Sequence, residues 1–68
     1  HPEVARSLYF LAELLTLRGD TVAAAEPNRE ALAIAIEKLG PDHDLTRIIE
    51  LQERKLNANL NDRSDAEP

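Results

Sequence analysis

Two breaks in the helical pattern constrain the fold of this chain more than any other feature. Arg18-Gly19 and Gly40-Pro41 divide the sequence into three segments. Glycine readily adopts the left-handed backbone that commonly ends a helix, and proline cannot continue one. Apolar residues recur with a period of about 3.6 residues within the segments, as in amphipathic helices. The pattern therefore predicts an all-α protein of three helices joined by short turns.

The composition agrees with helices and argues against several classes of partner. Alanine, leucine and glutamate are common, whereas the chain has one Tyr, one Phe and no Trp. The net charge of −5 argues against nucleic acid, because phosphate binding needs a basic face. No apolar run approaches the roughly 20 residues of a membrane span, and no signal peptide is visible. We therefore expect a soluble, cytoplasmic protein with no membrane and no nucleic-acid partner.

The short length limits how much stability the chain can obtain from its own core. A domain of this size buries only about 60% of the surface that its unfolded chain exposes. Such scaffolds usually need disulfides, a metal, oligomerisation or unusually good helix packing. The 68 residues include no cysteine, so disulfides and thiolate zinc sites are excluded. Helix packing and association are the remaining sources of stability.

The first predicted helix follows His1 and ends at Arg18-Gly19. Pro2 suits the first helical position, and Glu3 is favourable at the positive end of the helix dipole. Its predicted inner face consists of Val4, Leu8, Leu11, Ala12 and Leu15.

The second predicted helix is capped by Asp20 or Thr21 and runs to about Leu39. Pro27 deletes one hydrogen bond and clashes with the preceding turn if it lies inside a helix. Either the helix is continuous and kinked there, or a short turn at residues 21–25 precedes a helix that begins at Glu26-Pro27. We favour the continuous, kinked helix. Its predicted inner face consists of Ala24, Ala31, Leu32, Ala35 and Leu39.

The third predicted helix follows Gly40-Pro41, with Asp42 or Asp44 as its cap. Its predicted inner face consists of Leu45, Ile48, Ile49, Leu56 and Leu60, and Gln52 interrupts it. The final residues, 61–68, lack periodicity and are predicted to be a disordered acidic tail.

The sequence contains a weak internal repeat. The segments "HPEVARSL" and "HDLTRIIE" begin at His1 and His43, which are 42 residues apart, and such self-similarity is typical of repeat proteins. Residues 1–43 resemble a tetratricopeptide repeat (TPR) of the 42-residue, kinesin-light-chain-like type. The motifs that carry this resemblance are "HP" at 1–2, "SLYFLA" at 7–12, Gly19, "AEP" at 25–27, "REALAI" at 29–34 and "LGPDH" at 39–43.

The resemblance implies a division of the chain and a class of function. It implies a single TPR helix-turn-helix hairpin at residues 1–42, then a degenerate repeat or capping helix at 43–60, then the tail. It also implies a scaffold or adaptor that binds protein or peptide partners. Asn28 departs from the family pattern, which usually has an aromatic residue there, and Thr21 stands where the family usually has Tyr.

Two stripes on the first helix are candidates for partner binding. The resemblance places Arg6, Tyr9, Glu13 and Thr16 in the groove that holds partner peptides in TPR arrays. An ordinary polar helix surface is the alternative for this stripe, because the family commonly has asparagine where Tyr9 and Phe10 stand. Phe10, Leu14 and Leu17 form a second, apolar stripe pointing away from the core, and we expect a neighbouring repeat or a second copy to cover it.

Chemistry within these residues is not expected. "DHD" at 42–44 resembles a ligand cluster, but no second cluster completes a zinc site, and a turn with helix capping explains it better. Glu26 and Glu30 share a helix face, but a three-helix unit of this size offers no cleft for acid–base chemistry. Ser7 has no histidine on an adjacent turn. We therefore predict no enzyme, no catalytic residue, no metal and no cofactor.

Three functional classes remain open. The chain is an adaptor module from a larger array, a structural unit that assembles with itself as a homo-oligomer, or a regulatory repeat domain attached to an enzyme. All three use protein–protein contacts.

Overall fold

Three helices form the structure, as the sequence predicts. The computed structural model describes the backbone of residues 1–65 and the side chains of residue 1 and residues 3–59. Helix α1 spans Pro2–Leu17, α2 spans Thr21–Leu39 and α3 spans Asp44–Asp65. The prediction of an all-α fold with three helices is confirmed.

The turn between α1 and α2 is fixed by backbone hydrogen bonds and one side chain. Gly19 has a φ of 84°, in the left-handed region that favours glycine. The amide of Gly19 donates to Thr16 O at 3.0 Å and that of Asp20 to Leu15 O at 2.8 Å, the pair of bonds that defines a Schellman C-cap. The Asp20 carboxylate then accepts from Ala23 N at 3.3 Å, which confirms Asp20 as the cap of α2.

Histidines cap the other two helices. Glu3 N donates to His1 Nδ1 at 3.4 Å, and Leu45 N donates to His43 Nδ1 at 3.1 Å. The prediction that an aspartate caps α3 is therefore wrong. The imidazole of His43 stands directly before the first helical residue, where its Nδ1 reaches an amide that has no partner within the helix.

Helix α2 runs without interruption through Pro27. The favoured alternative, a continuous helix from the Asp20 cap to Leu39, is confirmed, and the kink stays a prediction. A single proline removes one main-chain hydrogen bond, and packing along the rest of α2 outweighs that loss.

Helix α3 is longer than the sequence predicts. It ends at Asp65 rather than at residue 60, so the predicted start of the disordered tail at residue 61 is wrong. No glycine or proline occurs between Asp44 and Asp65, and nothing in the local sequence therefore stops the helix. Residues 66–68 of the predicted tail lie outside the described residues.

The core is built largely from alanine, with α2 between the other two helices. One cluster joins Ala5, Ala31, Ala35 and Ile49, and a second joins Ala12, Ala24 and Leu56. Small side chains let the helix axes approach closely, and this allows a small core to be densely packed.

The predicted inner faces are confirmed in part. Buried or half-buried residues among them are Leu8, Ala12, Leu15, Ala24, Ala31, Leu32, Ala35, Leu39, Leu45, Ile49 and Leu56. Val4, Leu11 and Ile48 are exposed, and the prediction was wrong for them. On α1 the buried line runs through Ala5 and Ala12 instead, because α2 approaches most closely over small side chains. The side chain of Leu60 lies outside the described residues.

Candidate interaction surface

An apolar surface covers the side of α1 that faces away from α2. Phe10, Leu14 and Leu17 are 50%, 58% and 78% exposed, as expected for a stripe that points away from the core. Val4 and Leu11 are exposed beside them. We call these five residues the outer apolar face of α1. A contiguous exposed apolar patch on a small protein marks an interaction surface.

Tyr9 lies at the border between this face and the core. Its ring packs against the alanine cluster around Ala31 and lies 5.5 Å from the Phe10 ring, tilted by 52°. Burial raises the pKa of the Tyr9 hydroxyl, and the nearby Glu13 carboxylate raises it further. The phenol therefore stays protonated well beyond neutral pH.

The four residues of the predicted groove stripe differ in their surroundings. Arg6 and Glu13 are exposed, whereas Tyr9 and Thr16 are half-buried. The Thr16 hydroxyl donates to Ala12 O at 2.8 Å, so its proton is engaged within α1. Arg6 and Glu13 are thus the members of this stripe whose side chains reach solvent most fully, and the role of the stripe stays a prediction.

A buried polar network fastens α3 to the hairpin. Asn28 is fully buried, and its amide nitrogen donates to Ile49 O at 3.3 Å and to Glu53 Oε1 at 3.1 Å. Its amide oxygen accepts from Gln52 Nε2 at 2.8 Å. Gln52 Nε2 also donates to Tyr9 O at 3.2 Å. The network therefore joins all three helices, because Asn28 links α2 to α3 and Gln52 links α3 to α1.

Asn28 and Gln52 were each conspicuous in the sequence, but the contact between them was not predicted. Asn28 stood out as a departure from the family pattern and Gln52 as an interruption of an apolar face. Two polar interruptions on faces that pack together are the signal that would have found the pair, because buried amides need partners. Arg29 Nε, 3.8 Å from Glu53 Oε2, places a positive charge at the exposed edge of the network.

The buried side chain of Thr46 allows a test of how α3 packs against the rest of the molecule. Its side-chain oxygen is buried and, among the described residues, has no hydrogen-bond partner. Because an unsatisfied buried hydroxyl is costly, we expect Thr46→Val to raise the free energy of unfolding by about 1 kcal/mol. Chemical denaturation of both proteins measures the change. Thr46→Ser, which keeps the hydroxyl and loses the methyl group, is the control, and a gain with Ser would contradict this explanation.

The residues considered for metal binding or catalysis are exposed on the surface. His43 serves as a helix cap, and Asp42 and Asp44 beside it are exposed. The described residues contain no group of three or more metal-ligating side chains. Glu26 and Glu30 are exposed on α2.

None of the helices in the described part of the chain combines the length and the apolar character needed to cross a membrane. A scan against protein-family models, a search of curated proteins and a search of solved structures each found no match to this chain.

Proposed function

We propose that this chain is a protein–protein interaction module of the TPR type. It acts as a scaffold or adaptor, and its work is to bury the outer apolar face of α1 against a partner or another copy of itself. The observation that carries the proposal is the exposure of Phe10, Leu14 and Leu17 on one side of a helix. The sequence motifs between residues 1 and 43 and the capped hairpin of α1 and α2 support the TPR type.

The energetics favour association through this face. Full burial of a large apolar side chain contributes roughly 1.5–3 kcal/mol. Among the residues whose side chains the structure describes, the fully buried apolar ones are five alanines, one isoleucine and one leucine, which is a small core for three helices. A partner on α1 would therefore add apolar burial that the three helices do not provide by themselves.

The proposal includes a cytoplasmic location. It is supported by the absence of cysteine, because secreted domains of this size commonly depend on disulfides. The charged residues Arg6 and Glu13 at the rim of the face would set the register of a bound partner.

The double variant Phe10→Asp with Leu14→Asp tests the proposed face. We expect the wild type to self-associate at high protein concentration, since an uncovered apolar face has no other means of burial. In the double variant two carboxylates replace apolar area, and association should weaken by about 100-fold or more. Light scattering over a hundredfold concentration range measures the mass, and far-UV circular dichroism reports whether the helices are retained.

Val22→Asp with Ile36→Asp is the matched control. Both residues are exposed and the change in charge is the same, but they lie on α2, outside the proposed face. We expect this control to associate like the wild type. Equal association of the wild type and the Phe10/Leu14 variant would overturn the proposal.

A further inference from the structure

Helix α3 carries two apolar faces, and only one of them packs against the hairpin of α1 and α2. From residue 46 to residue 56 the buried or half-buried side chains are Thr46, Ile49, Gln52, Glu53 and Leu56. Two of these five are large and apolar. Ile48 and Leu51, in contrast, are 45% and 55% exposed. The observed packing therefore leaves apolar side chains of α3 in water while it buries polar ones.

A rotation of α3 about its own axis would place more apolar residues inside. Successive residues of a helix are 100° apart, so a rotation by this angle replaces each inner residue by its neighbour in the sequence. The preceding neighbours are Leu45, Ile48, Leu51, Gln52 and Lys55, three of them large and apolar. The following neighbours are Arg47, Glu50, Glu53, Arg54 and Asn57, all polar. Apolar burial, the main favourable term in folding, thus favours the face that begins at Leu45 over the observed one.

The observed packing also contains a buried polar group without a partner. Among the described residues, nothing forms a hydrogen bond with the side-chain oxygen of Thr46. After the rotation Leu45 would occupy this place, and the hydroxyl of Thr46 would return to the surface. Some other interaction must therefore outweigh both the exposure of Leu51 and the buried hydroxyl of Thr46.

The buried amide of Asn28 supplies that interaction. Its oxygen accepts from Gln52 Nε2 at 2.8 Å, and its nitrogen donates to Glu53 Oε1 at 3.1 Å. In the rotated helix Leu51 would take the place of Gln52, and a leucine side chain cannot donate to the Asn28 oxygen. Because a buried amide that lacks hydrogen bonds is costly, asparagine at residue 28 excludes the rotated packing.

We propose that Asn28 decides which face of α3 packs against the hairpin, and that the chain has a second packing in which α3 is rotated by one residue. This inference goes beyond the proposed function and does not depend on the outer apolar face of α1. A single buried asparagine fixes the register of coiled coils in the same way, at a cost in stability. Here it fixes the rotation of a helix and keeps Ile48 and Leu51 on the surface.

Removal of the amide with little change in volume tests this inference. Asn28→Leu makes residue 28 apolar, so that the face with Leu51 becomes the more favourable one. The chain has no cysteine, and a single introduced thiol therefore reports how α3 is placed. Lys55→Cys puts the thiol at a site that is exposed in the observed packing and that would take the buried place of Leu56 after the rotation.

The rate of reaction of the thiol with a water-soluble disulfide reagent is the measurement. At residue 55 we expect the reaction in Asn28→Leu to be about tenfold or more slower than with native Asn28, because a buried thiol reacts only when the structure opens. Asn57→Cys is the control. The rotation would move it to the place of Ala58, which is also exposed, so its rate should stay the same.

A third substitution reverses the expected change. Leu51→Lys is on the surface in the observed packing but would place a charge inside the rotated one, and burial of an unpaired charge is very costly. Added to Asn28→Leu, it should return the rate at residue 55 to that of the protein with native Asn28.

The order of two alanine substitutions gives an independent measurement. With native Asn28, Ile49→Ala should lower the folding equilibrium constant about 30-fold or more, and Ile48→Ala about fivefold or less. With Asn28→Leu the order should reverse, because Ile48 then fills the inner place. Chemical denaturation followed by far-UV circular dichroism measures the folding equilibrium constant of each protein.

Slow reaction at residue 55 alone, with recovery on addition of Leu51→Lys, would support the inference. An unchanged rate at residue 55, or an unchanged order of Ile48→Ala and Ile49→Ala, would overturn it. Loss of the helical signal in Asn28→Leu would also overturn it, since no second packing would then exist. Equal slowing at residues 55 and 57 would mean that copies associate without rotation of α3, with the same consequence.

Discussion

Ile49→Ala is expected to lower the free energy of unfolding by about 2–5 kcal/mol. Ile49 is one of the largest fully buried side chains among the described residues, and it lies in one cluster with alanines of α1 and α2. Its truncation removes apolar burial and leaves a cavity that rigid alanine neighbours cannot fill. A shift of this size lowers the melting temperature of so small a chain by roughly 10 °C or more, and thermal denaturation followed by circular dichroism measures it.

The adjacent residue supplies a matched control. Ile48 is the same residue type on the same helix, but it is 45% exposed. We expect Ile48→Ala to cost well under half as much as Ile49→Ala, because less apolar area is lost and water fills the space. Similar losses for the two variants would mean that α3 is not seated with Ile49 inward.

Asn28→Ala is expected to cost about 2–3 kcal/mol of unfolding free energy. The substitution removes the amide that joins Gln52 and Glu53 to α2 and leaves their polar groups without a buried partner. Urea denaturation measures the change. Because the network reaches all three helices, the loss should appear as a lower midpoint of one cooperative transition.

Two further variants distinguish loss of the polar network from loss of side-chain volume as the cause of the lower stability. Asn57→Ala on the exposed side of α3 should change the unfolding free energy by about 0.5 kcal/mol or less. Asn28→Leu combined with Gln52→Leu replaces both amides by apolar groups of similar size, and should cost less than Asn28→Ala alone. A double variant at least as unstable as Asn28→Ala would show that unsatisfied polar groups are not the cause.

The TPR-type module proposed here is directional. Phe10 and Leu14 on α1 are exposed, whereas Gln52 and Leu56, 42 residues later on α3, are half-buried and buried.

The three helices and the turn between α1 and α2 follow from local sequence. Gly19 ends α1 because the turn needs a positive φ, and Asp20 caps α2 because its carboxylate reaches an unpaired amide three residues on. Each of these interactions lies within a few residues, so that the order of residue types is enough to predict it. The exposed stripe of Phe10, Leu14 and Leu17 was predictable for the same reason, since helical periodicity alone separates it from Ala12.

Other features depended on how the helices pack. The helical pattern predicted Val4 and Leu11 in the core, yet the fully buried residues of α1 are Ala5 and Ala12. A difference of one residue turns the buried stripe by about 100°, and only the position of α2 decides it.

The sequence alone determined three helices, their Gly19 and Gly40 boundaries and the apolar stripe on α1. Only the tertiary structure decided that Asn28 and Gln52, which are 24 residues apart, satisfy each other, and that α1 and α3 use opposite faces. The physical reason is distance along the chain. Helix formation and capping are set by neighbours, whereas a hydrogen bond between two helices exists only once packing has brought their side chains together.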